Sequence, residues 1–204
     1  MTKRLALLLL LVCATIGAWA GGEQGEARRI FDEVYDQVFG PKGCSLSYDV
    51  NLVGVYKTAG TIWMKGKKSK FTDAKVDSWN DGTNIYYVFK KKKEVHIYKA
   101  TDEKADKYRS KFKFTLDDFD YSMERDKDGL WILLKQRRGA KGTVKQARAL
   151  LDPRTHTPKL VKVKVALFWA NINIRNFKAG GISDDIFVFP RSNYGKNYKY
   201  VDKR

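Results

Sequence analysis

Apolar and polar positions alternate along this chain with two different periods. Between residues 26 and 39, Ile30, Phe31, Val34, Tyr35, Val38 and Phe39 recur every three to four residues, and Gly40-Pro41 follows. That spacing predicts an amphipathic helix with a sharp stop. From Ser45 the period becomes two: Leu46, Tyr48, Val50 and Leu52 alternate with Ser45, Ser47, Asp49 and Asn51. This is a strand with one wet face. Gly60, Ile62 and Met64 alternate with Thr61, Trp63 and Lys65, and the segments Lys70–Ala74, Val76–Trp79, Ile85–Phe89 and Val95–Tyr98 continue the series. Lys65-Gly66, Asn80-Asp81-Gly82 and Lys90–Lys93 supply turns, so an antiparallel meander is expected.

At Thr101 the pattern changes again. Thr101 can cap a helix with Asp102 and Glu103 in its first turn and basic residues in its last, an order that suits the helix dipole. A second helix is expected over 101–113, with Ala105, Tyr108 and Phe112 as its narrow apolar stripe. Strands resume at Leu130–Gln136, Val144–Leu151, Val161–Val165, Ile172–Ile174 and Phe187–Phe189, with a turn at Asp152-Pro153-Arg154-Thr155. Residues 191–204 read as a polar, basic tail carrying Tyr194, Tyr198 and Tyr200. About ten or eleven strands and two helices, with no repeat and no linker, define a mainly β domain. Such a meander has two edges to hide. It can close into a barrel, or curl and let helices cover the opening, and the helices here favour the second solution.

The first twenty residues follow neither period. Lys3 and Arg4 precede an apolar run from Leu5 to Ile16, and Ala18-Trp19-Ala20 ends it with small residues where a signal peptidase reads. The run is shorter than the roughly 20 apolar residues a membrane span needs. Residues 1–20 are therefore expected to be a cleaved signal peptide, and 21–204 a single domain large enough for its own core. Cys44 is then the only cysteine, so the fold must rest on packing rather than on disulfides.

Export changes the meaning of the charge. Forty Lys and Arg residues stand against 23 Asp and Glu in 204 residues, a formal net charge of +17. On an exported chain this points to anionic lipid headgroups, lipopolysaccharide, acidic glycans or an acidic protein face rather than to nucleic acid. Aromatics such as Phe71, Tyr86, Tyr87 and Phe89 could stack bases, but they fall in strand patterns that core or cavity packing explains. Two basic stretches lie beside turns. Lys67, Lys68, Lys90, Lys91, Lys92 and Lys93 are the candidate docking groups, with solvated hairpin tips as the plainer reading.

Candidate chemistry is sparse. Glu94 shares a strand face with His96 and Asp152 shares a turn with His156, but neither pair has a local third ligand for a metal. A G-x-S-x-G elbow and a phosphate-binding loop are absent from the sequence. Nothing local supports a dyad of Cys44 with a histidine. Asp117-Asp118, Asp120 and Asp184-Asp185 read as solvated turn acids rather than as a facing glycosidase pair. The expectation is a protein that is not an enzyme, with no cofactor.

The order of elements is specific enough to compare. A signal peptide, one helix and a six-strand meander bearing Gly60-x-Ile62-x-Met64-x-Gly66 are followed by Trp79-Asn80-Asp81-Gly82-Thr83. Later come Asp152-Pro153-Arg154-Thr155 to Pro158, Asn176-Phe177-Lys178 and the closing Phe187-Val188-Phe189-Pro190. This order resembles the LolA-like outer-membrane lipoprotein carriers of Gram-negative bacteria, over nearly the whole chain after residue 20. The tail Tyr200-Val201-Asp202-Lys203-Arg204 is similar to the chain end of Bacteroidetes-type members.

The resemblance implies an incompletely closed antiparallel β-barrel of about 11 strands covered by α-helices. It implies a periplasmic monomer that carries lipoprotein acyl chains from an inner-membrane release complex to an outer-membrane acceptor, without covalent chemistry. The acyl chains would lie on the concave apolar face under helices 26–39 and 101–113. By alternation that face would hold Ile62, Met64, Tyr86, Val88, Val95, Ile97, Ile132, Leu134, Val161, Val163, Ile172, Ile174, Phe187 and Phe189. Well-known members carry an arginine after the second strand that ties the lid shut. Lys65-Gly66 stands in that region here, so no such latch is implied. A fold hosts more than one function, and the alternative is a basic periplasmic binding or sensor module that docks an anionic lipid, lipopolysaccharide or membrane protein. If the leader is read correctly, the intact mass of the exported protein matches a chain beginning at Gly21. A mass retaining residues 1–20 contradicts that reading.

Overall fold

The fold is taken from a computed structural model, which describes residues 22–52, 56–102, 115–165 and 167–204. Helix α1 covers residues 22–39. The meander follows as β1 (Cys44–Leu52), β2 (Tyr56–Lys65), β3 (Lys68–Asp73), β4 (Val76–Asn80), β5 (Asn84–Phe89) and β6 (Glu94–Lys99). The second half is β7 (Phe119–Arg125), β8 (Leu130–Gln136), β9 (Val144–Leu151), β10 (Pro158–Val165), β11 (Phe168–Ala179) and β12 (Lys199–Asp202). The described strands form one sheet in the order β12-β6-β5-β4-β3-β2-β1-β11-β10-β9-β8-β7. Each neighbouring pair is antiparallel except β12, which runs parallel to β6. β7 and β12 remain as edges, so the barrel is incompletely closed, as the resemblance implied. No helix among the described residues is long and apolar enough to cross a membrane.

Three elements differ from the pattern-based expectation. β7 was not foreseen as a strand although Phe119, Tyr121 and Met123 alternate with Asp120, Ser122 and Glu124. The expected strand at Phe187–Phe189 is instead the end of a 3-10 turn, Asp184–Phe187, whose start is held by the Ser183 side chain accepting the Asp185 N–H. That local cap bends the backbone before a ladder can form. The expected polar tail contains β12, which a short run of Tyr and Val would not reveal without its partner β6. The signal peptide and most of the helix expected at 101–113 lie outside the described residues.

Directly paired residues point to the same side of a sheet, so the register sorts every strand residue onto one of two faces. On the face that carries α1, called the inner face here, Cys44 and Leu46 of β1 lie opposite Met64 and Ile62 of β2. The helix buries Ala27 and Ile30 against Phe119, Tyr121, Leu130, Ile132, Leu134, Val144 and Leu151, with Phe31 and Val34 packed alongside. Polar side chains hold it in place from two directions. The Arg28 guanidinium bonds Asp32 at 2.8 Å and Asp117 at 3.0 Å while lying 4.9 Å from the centre of the Tyr121 ring. Glu33 comes within 3.5 Å of His156 in the β9–β10 turn.

A second core lies on the opposite, outer face. Trp79, Val88, Val95 and Ile97 are buried there beneath Tyr86, Phe189, Tyr194, Tyr198 and Tyr200. Phe189 stacks on Tyr86 with centroids 4.4 Å apart and meets Trp79 edge-on at 5.5 Å. The segment from Gly180 to Tyr198 thus forms a strap across this face before β12 joins the edge. Asp184 receives Lys65 and Lys68 at one end of the strap, and the Tyr194 hydroxyl donates to Asp77 further along.

These two cores carry the stability of the sheet. Ile132 is fully buried under α1. Ile132→Ala should lower the unfolding free energy by about 2–5 kcal/mol, read as a lower urea midpoint at unchanged slope. A loss below about 1 kcal/mol would mean that α1 does not pack there.

Candidate functional site

The inner face is apolar well beyond the reach of α1. Following the register from β10 gives Val161 opposite Ile172, Ile172 opposite Val50, and Val163 opposite Ala170. On the other side of β1 the row continues Leu46, Ile62, Phe71, Ser78, Tyr87, His96. Val161, Ile172, Ile174, Tyr48, Val50, Ile62, Met64, Phe71 and Tyr87 are all half-buried. Gly60 faces Tyr48 across the strands, and a Cβ at Gly60 would collide with the Thr72 carbonyl and the Tyr48 hydroxyl. Glycine therefore sets how closely Tyr48 lies against the middle of this face. Toward β6 the surface becomes aromatic, with Tyr87 and Tyr98 at 6.0 Å and Phe89 and His96 at 4.8 Å.

The fourteen residues assigned to one concave face are split by the structure. Ile62, Met64, Val161, Ile172 and Ile174 lie on the inner face and are half-buried, while Ile132, Leu134 and Val163 share that face but pack in or against the core under α1. Tyr86, Val88, Val95 and Ile97 are on the outer face, where Phe189 of the strap packs on them. Phe187 is buried at the end of the Asp184–Phe187 turn. The correction has a simple cause. β5 reads Asn-Ile-Tyr-Tyr-Val-Phe and is apolar on both faces, so alternation cannot choose between Tyr86 and Tyr87. Tyr48, Val50, Phe71 and Tyr87 belong to the inner face and were missed, although Tyr48 and Val50 stood in the predicted alternation of β1.

The candidate docking lysines do not form one patch either. Successive turns of a meander alternate between its two rims. Lys67 and Lys68 sit at the β2–β3 turn on the rim where β1 begins, and Lys90–Lys93 lie between β5 and β6 on the opposite rim. Lys68 is tied to Asp184 at 2.9 Å, and Lys90 reaches Asp77 at 2.8 Å and the Asp73 carbonyl at 2.6 Å. Lys90 offsets the largely buried Asp77, a structural task that local sequence does not reveal. Lys67, Lys91, Lys92 and Lys93 are exposed.

Nucleophile and ligand candidates find little company. The buried Cys44 thiol lies 3.5 Å from the Val38 carbonyl, and burial pushes its pKa up to about 11. His96 pairs with Glu94 at 2.9 Å, and that hydrogen bond lowers the Glu94 pKa. Among the described residues no group of three or more His, Cys, Asp or Glu could hold a metal ion. Asp152 serves its own turn by accepting the Arg154 and Thr155 N–H groups, which hold its carboxyl far below the usual range.

Taken together, the described residues define a class: an open, mainly antiparallel β-barrel with helix α1 across part of an apolar inner face. No family model matches the chain, and no curated relative matches it. A solved structure of an uncharacterized conserved protein from Thermus thermophilus is similar to it, with a TM-score of 0.58 and 12% identity over 87% of this chain and 99% of that one. At that identity the likeness is one of fold. Two further similar structures are a putative outer membrane lipoprotein-sorting protein domain from Vibrio parahaemolyticus (TM-score 0.43, 9% identity, 81% of this chain and 97% of that one) and a LolA superfamily protein from Nitrosomonas europaea (0.40, 9%, 81% and 98%).

Burial and a raised pKa make the Cys44 thiolate scarce at neutral pH, and the thiolate is the reactive form. Native protein at pH 8 should leave Cys44 unmodified by iodoacetamide for hours, and urea-unfolded protein should react within minutes. Rapid labelling of the folded protein would reopen the nucleophile reading.

Proposed function

We propose that the protein is a periplasmic carrier that shelters the acyl chains of lipoproteins, or of another lipid, on the inner face of its open barrel. One observation carries this reading. Half-buried apolar side chains continue from Val161 and Ile172 through Val50 to Ile62 and Phe71, past the part of the face that α1 covers. The order of sequence motifs that resembles lipoprotein carriers supports it independently. Each acyl methylene hidden from water contributes about 0.8 kcal/mol, so a few turns of chain give useful affinity. Release needs a competitor for the same surface, and α1, held to the sheet by the exposed Arg28–Asp117 pair and a small apolar stripe, is the element placed to compete. In this reading cargo is taken from an inner-membrane release complex and given to an outer-membrane acceptor. No covalent step is involved.

Native mass spectrometry of protein isolated from its host, followed by lipid extraction, tests the proposal. Bound lipid or acylated protein is expected, together with uptake of an offered synthetic lipopeptide. Ile62→Glu, on the inner face, should cut that uptake by about tenfold or more, because a charge would be buried against the acyl chain. Val188→Glu, at an exposed outer position, should leave it unchanged. Absence of lipid and no uptake by the wild type would remove the carrier reading and leave a binding module with a dry core.

A further inference from the structure

The β10–β11 tip presents apolar side chains that no core uses. Leu167 is 86% exposed and Phe168 is 61% exposed. Two adjacent, exposed large apolar residues at a hairpin tip are costly in water and point to a partner. The surroundings specify its chemistry. Trp169 follows directly, with the Lys164 ammonium 5.9 Å from its ring centre. Lys162, two residues earlier on the same outer face, lies 5.4 Å from the Trp131 ring. A Trp with a neighbouring Lys, just behind an apolar tip, matches the depth profile of a membrane interface: acyl region, then indole, then headgroup.

The rim agrees in sign. The tip shares it with the β8–β9 loop, where Arg138 and Lys141 are exposed, and β9 begins with Val144 paired to Val165 beside the tip. The β5–β6 turn with Lys91, Lys92 and Lys93 lies on the same rim. Both rims carry acids as well: Asp126, Asp128, Asp152, Asp184 and Asp202 on the opposite one, and Asp73, Glu94, Asp117, Asp118 and Asp120 on this one, where Arg137 binds Asp120 at 2.8 Å. Basic loops around an apolar tip are complementary to anionic lipid, and a single short tip gives reversible rather than permanent attachment.

We propose that the β10–β11 tip is a membrane anchor, with Leu167 and Phe168 entering the interface of an anionic bilayer while Trp169, Lys164 and the basic loops of that rim stay at the headgroups. Neither this surface nor its partner depends on the inner face, so it stands apart from the carrier reading.

Vesicle flotation tests it. The protein is mixed with phosphatidylcholine vesicles containing about 30% phosphatidylglycerol, and with vesicles of phosphatidylcholine alone. Wild type should float with the anionic vesicles and much less with the neutral ones. Leu167→Ser/Phe168→Ser should weaken binding about tenfold or more while keeping the wild-type melting temperature and lipopeptide uptake, since both side chains are exposed. A second readout leaves the tip intact: lipids brominated near the headgroup should quench the tryptophan fluorescence of the wild type, and Trp169→Phe should abolish the quenching. Failure of the wild type to float, full binding by the double variant, or quenching that survives Trp169→Phe overturns the proposal. So does a wild-type dimer that the double variant splits, because the tip would then serve a second copy of the chain.

Discussion

The strand pleat is the constraint on which this structure depends. Each strand offers two faces, and in this sheet the apolar residues do not stay on one of them. From β7 to β10 they crowd the inner face, as Tyr121, Leu134, Ala147 and Val163 in one row show. From β4 to β6 most of the buried apolar residues, Trp79, Val88, Val95 and Ile97, are on the outer face, while Ile85 is buried on the inner one. A sheet built this way needs a cover on each side, placed at opposite ends. The chain supplies α1 before the first strand and the aromatic strap after β11.

Among the described residues, neither α1 nor the strap is seen to pack on the middle of the inner face. There Val50, Ile62 and Ile172 are half-buried and meet across strand pairs. The strap also consumes charge that would otherwise serve docking. Asp184 holds Lys65 and Lys68, and Asp77, buried by the strap, holds Lys90 and Tyr194. A buried carboxylate without its cation is expensive, so these lysines are bound to structure first. What remains for partners is the exposed set on the loops, with Lys91, Lys92 and Lys93 on the rim that carries Leu167 and Phe168 and Lys67 on the other.

Much of the fold was legible because short strands at hairpin spacing, with turn residues between them, leave few alternatives. β1 to β6 appear in order where the alternation placed them, and α1 begins four residues ahead of the predicted helix while ending at the same Phe39. β7 carried its signal in Phe119, Tyr121 and Met123, yet lay just beyond a segment dominated by charge. β12 carried almost none, because four residues become a strand only when β6 offers them an edge.

The candidate face was legible only in part. Period two tells which residues of one strand point together, as with Leu46, Tyr48 and Val50, because pleating is a local property of the chain. It cannot say which side of the next strand they join when that strand is apolar on both faces, as β5 is. Register and the covers decide that, and both depend on residues far away in sequence: Phe189 for Tyr86, Ile30 for Ile132, Asp184 for Lys68. By itself the sequence determined α1, most of the strands and turns, and the basic composition. Only the tertiary structure decided which apolar face is open and which lysines remain available, since burial and ion pairing belong to neighbours that the chain brings together from a distance.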